Sequence, residues 1–279
     1  MEDTIKHIAL GKATETKEKS IRHVPSTVQA DTLFTFTSHI DYLITTIKNG
    51  MLSPRYCTED LGYLKIKGIK KMAFPMNCFC DINMHKLEDH LSWYGYYGLA
   101  FSKEWGMSKR IQPIQYINPS SELRKDFTEA FSIALKSSSE EQPQSESVMK
   151  SFLLHQLMYY KPYSGMFRNR ITGKRTRKCF TDECEWRFIP NVSVAGFQQV
   201  YYDQNIINAG GLIDMSNAMS GIPEISLRFE YSDVKYIIVK NSLDFEKLCA
   251  AIVELGLTST AKHTLISKII VWENSRGDF

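Results

Sequence analysis

The sequence contains no run of about 18 apolar residues, the length that a membrane-spanning helix requires. Its first 19 residues are polar and charged, where a secretory signal would carry an apolar core. These two absences predict a cytoplasmic protein that makes no membrane contact. The six cysteines lack the repeated Cys-x-x-Cys spacing of a zinc site, so we expect reduced structural thiols and no metal.

An excess of charge of one sign is also missing. The 34 basic and 31 acidic side chains leave a net charge of +3, which is too small to indicate nucleic-acid binding by the chain as a whole. Any such contact must therefore come from a local cluster of cations. With 279 residues, of which 43% are hydrophobic and 23% charged, the chain can bury a substantial core.

The domain organisation follows from where apolar periodicity is absent. It is missing from residues 1–30, which we predict to form a flexible N-terminal arm. A second polar stretch, 137–147, is rich in Ser, Glu and Gln and predicts an exposed linker. Helical spacing precedes this stretch and resumes after it at Val148. We therefore predict a single α+β domain over 31–279, with a helical insertion at about 120–162.

Strand-like and helical patterns alternate along the predicted domain. Leu33–Ser38 predicts a strand that continues into a helix, and Asn49–Gly50 is typical of a helix C-terminus. Met72–Asp81 predicts a buried strand with a proline near its start. Because the strands lack the regular spacing of βαβ units, the predicted fold class is α+β, with a mixed, mostly antiparallel sheet core.

Three further segments carry predictions about the rest of the sheet. Tyr94–Phe101 combines aromatic residues with two glycines, as is typical of a strand edge or turn whose backbone approaches another group closely. Gln198–Tyr202 predicts a short strand, and Leu265–Trp272 predicts the final strand.

Two carboxylates lie two residues apart, at Glu183 and Glu185. In an extended segment, side chains at a period of two emerge on the same face, so this pair predicts a site. A carboxylate close to an arginine is also commonly one half of a structural ion pair, here with Arg187 as the partner. The sequence leaves both interpretations open.

Six cations lie within eleven residues just before the acidic pair. We predict that they form a loop, and that five of them contact nucleic acid or a partner protein: Arg168, Arg170, Lys174, Arg175 and Arg177. Contact with phosphates would add a salt dependence. An acidic partner protein explains the cluster equally well, and basic loops are also commonly just solvated.

Several segments occur in a distinctive order and spacing: FTFTSHIDYLITTIKNGMLSPRY, FPMNCFCDI, HLSWYGYYGLAFSKEW, IQPIQYI, ECEWRFIP and the C-terminal IIVW and GDF. Together they resemble the AbiGi family of bacterial abortive-infection proteins. This resemblance implies phage defence, in which infected cells stop growing or die before phage are released. It also implies a cognate partner, since members are usually regarded as antitoxins of a second protein with nucleotidyltransferase character. It implies no reaction.

A more distant similarity connects the opening strand, helix and Asn-Gly stop with DarT-like ADP-ribosyltransferases. It implies an ADP-ribosyltransferase-like fold, NAD as the cofactor, Glu185 as the carboxylate beside the ribose and Glu183 as the group that orients the acceptor. The predicted cofactor-binding residues are Thr35, Ser38, His39, Tyr56, Tyr94 and Tyr97. The chain departs from the family pattern at Thr35, which stands where a His or Arg would supply donors.

Three function classes therefore fit the sequence. The first is an enzyme that modifies a macromolecule from NAD, favoured by Glu183, Glu185 and the Tyr/Gly-rich segment. The second is a non-catalytic antitoxin or regulator paired with a separate toxin. The third is a sensor whose pocket binds a nucleotide or a phage component. Thr35 favours the second and third classes.

Overall fold

The computed structural model describes residues 24–136, 144–202 and 210–278. Most of the predicted N-terminal arm and most of the predicted linker, 137–143, lie outside these residues. Within the three ranges, no helix has the length and apolar character needed to cross a membrane.

One sheet of eight strands organises the chain. The strands, in chain order, are β1 (Thr32–Thr37), β2 (Met51–Leu52), β3 (Arg55–Asp60), β4 (Lys71–Cys80), β5 (Tyr97–Ser102), β6 (Gln112–Pro113), β7 (Gln115–Ile117), β8 (Tyr160–Pro162), β9 (Ser164–Arg168), β10 (Arg175–Cys179), β11 (Glu185–Phe188), β12 (Leu227–Arg228), β13 (Val234–Val239) and β14 (Ile269–Val271). The sheet order is β14-β13-β5-β1-β4-β11-β6, and β3 pairs with β4 beside this path. Every pairing in this sheet is antiparallel except β13 with β14. The predicted α+β class with a mostly antiparallel core is confirmed.

Nine α-helices lie among the described residues, and the first of them follows the predicted apolar periodicity. They are α1 (Ile40–Asn49), α2 (Leu87–Tyr94), α3 (Lys103–Ser108), α4 (Glu122–Lys136), α5 (Gln144–Met158), α6 (Gly211–Ala218), α7 (Ser242–Val253), α8 (Ser259–Ile266) and α9 (Trp272–Ser275). In α1, Leu43 and Ile47 are four residues apart and buried on one face. The helix ends where Gly50 adopts a φ of 60° and donates its N–H to the Ile47 carbonyl, as the Asn-Gly pair predicts.

The described residues form four apolar clusters, and the two largest hold most of the strands in place. One lies between β5, β13 and the helices α1, α7 and α8. The other joins the β4 side chains Met72, Phe74 and Met76 to helices α4 and α5. The predicted helical segment thus packs against the first two-thirds of β4 and fixes that strand from one side.

Strands β1 and β4 pair through only one residue of each strand and then separate. The opening between them forms the pocket described below. Strand β1 pairs with β5 along its whole length, from Thr32 opposite Ser102 to Thr37 opposite Tyr97. It pairs with β4 only where Phe34 lies opposite Cys80. Beyond that pair the two strands diverge, so one backbone edge of β1 has no neighbouring strand there.

Several local predictions were wrong. Strand β5 lies inside the sheet, between β13 and β1, and is not an edge. In the predicted final strand, α8 extends to Ile266 because Thr258 caps its N-terminus and Leu265 is buried on its inner face, which leaves only β14 extended. The predicted strand at Gln198–Tyr202 is reduced to one bridge between Ala73 and Tyr201.

Two boundaries also differ from the prediction. Helix α5 begins at Gln144, inside the stretch predicted as a linker and four residues before Val148. Residues 54–56, for which a proline favours a loop, instead lead into strand β3, which pairs with β4 from Arg55 opposite Met76 to Asp60 opposite Lys71. Tertiary pairing overrides the local proline signal at this point.

Candidate functional site

A pocket of about 600 Å³ lies where β1 and β4 part. Its walls include the end of β1 from Phe34 onward, and Met76 to Cys80 on β4. Asn77 and Cys78 are successive residues on β4, so their side chains emerge on opposite faces of the strand, yet both line the pocket. The pocket therefore passes along the free edge of β4 and reaches both faces of the sheet.

The pocket brings together most of the residues that the sequence predicted for a site. Its lining includes Thr35, Ser38, Tyr56, Tyr94, Tyr97, Arg170, Glu183 and Glu185. His39 is not among the lining residues; its ring packs edge-on against Tyr42, with centroids 5.6 Å apart. These lining residues are far apart in the chain, and the sheet brings them together at one opening.

The hydroxyl groups of the three predicted tyrosines already have acceptors. Tyr56 donates to the Gln198 carbonyl, and Tyr97 donates to Asp244 at 3.0 Å. Tyr94 donates to Glu183. These tyrosines therefore offer ring surface to the pocket, while their hydroxyl hydrogens are used to fix the rings in place.

Glu183 and Glu185 lie close together, but not because they share one face of an extended segment. Glu183 ends a 3-10 turn, and Cys184 adopts a left-handed φ of 41° before Glu185 begins β11. The segment is thus not extended. The two carboxylates still meet, because Lys161 on β8 donates to Oε2 of both Glu183 and Glu185 at 2.6 Å.

A fully buried arginine completes one side of this cluster. The Arg187 side chain is 0% exposed and donates from Nε to Glu185 Oε1 at 2.7 Å. It also donates from Nη2 to Glu59 at 2.8 Å and from Nη1 to the Met158 carbonyl at 2.6 Å. The structural ion pair between Glu185 and Arg187, one of the two interpretations of the sequence, is therefore present.

Lys178 completes the other side. Its Nζ donates to Glu183 Oε1 at 2.7 Å and lies 4.7 Å and 4.4 Å from the ring centroids of Trp93 and Tyr94. This lysine belongs to the basic cluster in the sequence but points inward. The buried cluster thus contains three carboxylates, Glu59, Glu183 and Glu185, and three cations, Lys161, Lys178 and Arg187.

The pKa values of the three carboxylates are shifted in different directions. Burial alone raises the pKa of Glu185, but Arg187 and Lys161 outweigh it and hold that pKa well below its usual range. Burial is likewise opposed at Glu183, where Lys161 and Lys178 lower the pKa. At Glu59, burial prevails over Arg187 and Lys161 and raises the pKa. Sequence reasoning missed Glu59; the alternation of polar and β-forming residues in Arg55–Asp60 was the available signal.

Two thiols also face the pocket. Cys57 and Cys78 lie side by side, and a hydrogen bond with Cys78 lowers the pKa of Cys57 to about 7. Burial acts against this shift, while Arg170 and Arg187 add to it. The sequence carried no signal for this pairing, because the two cysteines lie on different strands.

The predicted basic loop is a β-hairpin. Strands β9 and β10 pair so that Arg168 lies opposite Arg175 and Met166 opposite Arg177, which places these four side chains on the outer face. The inner face carries Phe167 and Lys178, which contact the pocket wall. Of the five predicted contact residues, Arg170 alone lines the pocket; Arg168, Lys174, Arg175 and Arg177 lie outside its lining. In the part of the chain that the structure describes, none of the five forms a salt bridge.

The lowered pKa of Glu185 predicts a loss of stability in acid. A carboxylate with a lower pKa in the folded chain stabilises the fold above its unfolded value of 4.5, and this stabilisation is lost as the pH falls through the folded pKa. We expect urea titrations to show a smaller difference between about pH 7 and about pH 3 for Glu185→Gln than for the unmodified chain. Glu59→Gln should show a larger difference, since a raised pKa contributes with the opposite sign. Equal differences in all three proteins would contradict this assignment.

Comparison with known proteins gives one family. The model of the family described as "Putative abortive phage resistance protein AbiGi, antitoxin" matches residues 50–240. An abortive phage resistance protein AbiGi from Lactococcus lactis subsp. cremoris is 32% identical over 247 residues, which cover 81% of this chain and 98% of that protein. No solved structure matches the chain significantly, so the ADP-ribosyltransferase-like architecture stays a prediction.

Proposed function

The chain belongs to the AbiGi family of abortive phage resistance proteins, and from this we propose that it acts in phage defence as a non-catalytic regulator of the antitoxin type. In this role the chain restrains a separate toxin and releases it upon infection. The family description, which names an antitoxin, supports this role. The hydrogen bonds of Glu183 and Glu185 supply the physical argument.

The proposal rests on one observation: no carboxylate oxygen of Glu183 or Glu185 is left without a hydrogen-bond donor. Each carboxylate oxygen of Glu183 and Glu185 already accepts a hydrogen bond from Lys161, Lys178, Arg187 or Tyr94. A carboxylate that stabilises an oxocarbenium-like sugar must turn an oxygen toward that sugar. Here this would require breaking a buried ion pair, which costs several kcal/mol. The cluster is suited to holding β8, β10 and β11 together.

ADP-ribosyl transfer from NAD is the second candidate function. One observation favours it: the pocket gathers Thr35, Glu185 and the three tyrosines, as the distant DarT-like resemblance implies. Thr35 lacks the donors of the His or Arg in that family. Arg55 and Arg170 also line the pocket and could supply guanidinium groups in its place.

Growth of bacteria that express the chain separates the two candidates. A regulator expressed alone should leave growth unchanged, and it should restore growth to cells arrested by its co-expressed cognate toxin. Glu185→Gln should keep this protection in proportion to the folded protein that remains. Growth arrest by the chain alone, lost in Glu185→Gln while circular dichroism shows a retained fold, would instead favour the transferase. Release of nicotinamide from NAD by the purified chain would support the same conclusion.

The outer face of the hairpin is the toxin contact that we propose. Its arginines lie beside the exposed side chains of Met166 and Ile171, and arginine and methionine are enriched at protein interfaces. In the same growth experiment, the double variant Arg175→Glu, Arg177→Glu should fail to protect. The matched double variant Lys240→Glu, Lys247→Glu changes the net charge equally on another surface and should protect. A contact with nucleic acid would appear as loss of protection together with loss of DNA or RNA binding by the purified chain.

A further inference from the structure

We infer that the opening between β1 and β4 binds a nucleoside monophosphate, with its phosphate at Arg55 and Arg170 and a hydrogen-bond donor of its base or sugar at Asn77. This inference rests on the proposed regulatory function only for its biological meaning, in which the nucleotide is the signal that the regulator reads. The binding itself follows from the charges, the unpaired polar groups and the shape of the pocket.

The charge of the pocket indicates an anionic ligand. The three carboxylates and three cations of the buried cluster neutralise one another. His90 also lines the pocket, but burial lowers its pKa to about 3 and leaves it neutral. Arg55 and Arg170 remain, and neither guanidinium has an acidic partner among the described residues. Two uncompensated guanidinium groups match the two negative charges of a phosphate monoester.

An unsatisfied acceptor indicates that the ligand also donates a hydrogen bond. Asn77 is 9% exposed, and its Nδ2 donates to the Ser53 carbonyl at 3.0 Å. Because a carbonyl oxygen only accepts, this contact fixes the orientation of the amide. Its Oδ1 is buried without a hydrogen-bond partner among the described residues. An unpaired buried acceptor is costly, and a hydroxyl or amino group of a ligand would satisfy it.

The arrangement of strands places these two recognition elements on opposite faces of the sheet. Arg55, Cys57 and Glu59 share one face of β3, because side chains alternate along a strand. Cys78 contacts Cys57 and belongs to that face, whereas Asn77 precedes Cys78 and points to the other. A ligand that reaches both must be elongated and must pass the free edge of β4. A phosphate joined through a sugar to a base has this form.

The walls of the pocket carry groups suited to a sugar and a base. Tyr94 lines the pocket beside Arg170, with its ring centroid 5.2 Å from the guanidinium, and Tyr42, which is 57% exposed, also lines it. The lining also includes Thr35, Thr37 and Thr58. Aromatic faces bind bases by stacking, and small hydroxyls can exchange hydrogen bonds with a ribose.

A thermal-shift titration of the full chain tests the inference. The ligands are the four ribonucleoside 5′-monophosphates, with the four corresponding nucleosides, inorganic phosphate and NAD measured in parallel. We expect at least one monophosphate to raise the Tm by several degrees at saturation, and its unphosphorylated nucleoside to bind at least about tenfold more weakly. Stabilisation by NAD but by no monophosphate would favour the transferase candidate and contradict the inference, as would stabilisation to the same extent by inorganic phosphate alone.

Three variants locate the ligand in the pocket. Arg55→Gln and Arg170→Gln should each weaken binding of the monophosphate about tenfold or more, while binding of the nucleoside changes little. Asn77→Leu should weaken binding of the monophosphate and of the nucleoside, because it removes the Oδ1 acceptor on the other face of the sheet. Arg175→Gln makes the same charge change on the outer face of the hairpin and should bind normally. If no monophosphate stabilises the chain, or if these variants bind like the unmodified chain, the inference is wrong. Neither result depends on the growth experiment, so failure of one proposal is distinguishable from failure of the other.

Discussion

Arg187→Met is expected to lower the free energy of unfolding by about 3–5 kcal/mol. Arg187 is fully buried and binds Glu185, Glu59 and the Met158 carbonyl. Methionine fills much of the same space but leaves Glu185 with one cation and Glu59 with none in direct contact. The expected cost is that of buried charges left without partners, which exceeds the net value of an ion pair. Urea unfolding followed by circular dichroism measures it.

Two controls make this prediction specific. Arg175→Met makes the same replacement at an exposed position without a salt bridge and should stay within about 0.5 kcal/mol of the unmodified chain. The double variant Arg187→Met, Glu185→Gln should be more stable than the sum of the two single effects predicts, since the second change removes a charge that the first leaves unpaired. A cost below about 1 kcal/mol for Arg187→Met would show that the cluster is hydrated and open.

Gly95→Ala should cost at least about 3 kcal/mol, because it combines two unfavourable effects. Gly95 has a φ of 118°, which side chains rarely adopt, and a Cβ there would lie 2.1 Å from the Thr37 carbonyl oxygen and 2.6 Å from the Ser38 Cα. Both contacts are with backbone, so no side-chain rotation relieves them. The strain would fall on the end of β1, which lines the pocket. The free energy of unfolding and the nucleotide affinity should therefore decrease together.

Other glycines supply the comparison. Gly196 has a φ of 80° but nothing within 4 Å of an added Cβ, so Gly196→Ala should cost only the backbone term of about 1–2 kcal/mol. Gly256→Ala has open space and no positive φ and should be close to neutral. If Gly95→Ala were no more costly than Gly196→Ala, the close approach to Thr37 would not constrain the fold.

The sequence was sufficient to predict those elements whose conformation depends mainly on residues within a few positions. The helix that ends at Gly50 and the buried strand β4 follow from periodicity and from the Asn-Gly pair. The close backbone approach at Tyr94–Phe101 was predicted because two glycines stand among aromatic residues, and Gly95 and Gly98 both lie against β1. Such features depend on neighbours within a few residues.

Features that depend on distant partners could not be predicted in this way. Lys161 lies 22 residues before Glu183, in a Tyr-Lys-Pro sequence that carries no signal for an ion pair. Glu59 is 128 residues from Arg187, and β3 forms only because β4 pairs with it. The basic cluster suggested a loop, but Lys178 turns inward and contacts Glu183 and three rings, which holds the hairpin in position.

The β9–β10 hairpin connects the pocket with the outer surface. Arg170 at its turn lines the pocket, and Arg175 and Arg177 project from its outer face. A pocket ligand that favours one position of the hairpin changes the affinity of the outer face for any partner that also binds one position more tightly. By thermodynamic reciprocity, the partner must then change the affinity of the pocket by the same factor. In such an arrangement the toxin and the nucleotide would each act as an allosteric effector of the other.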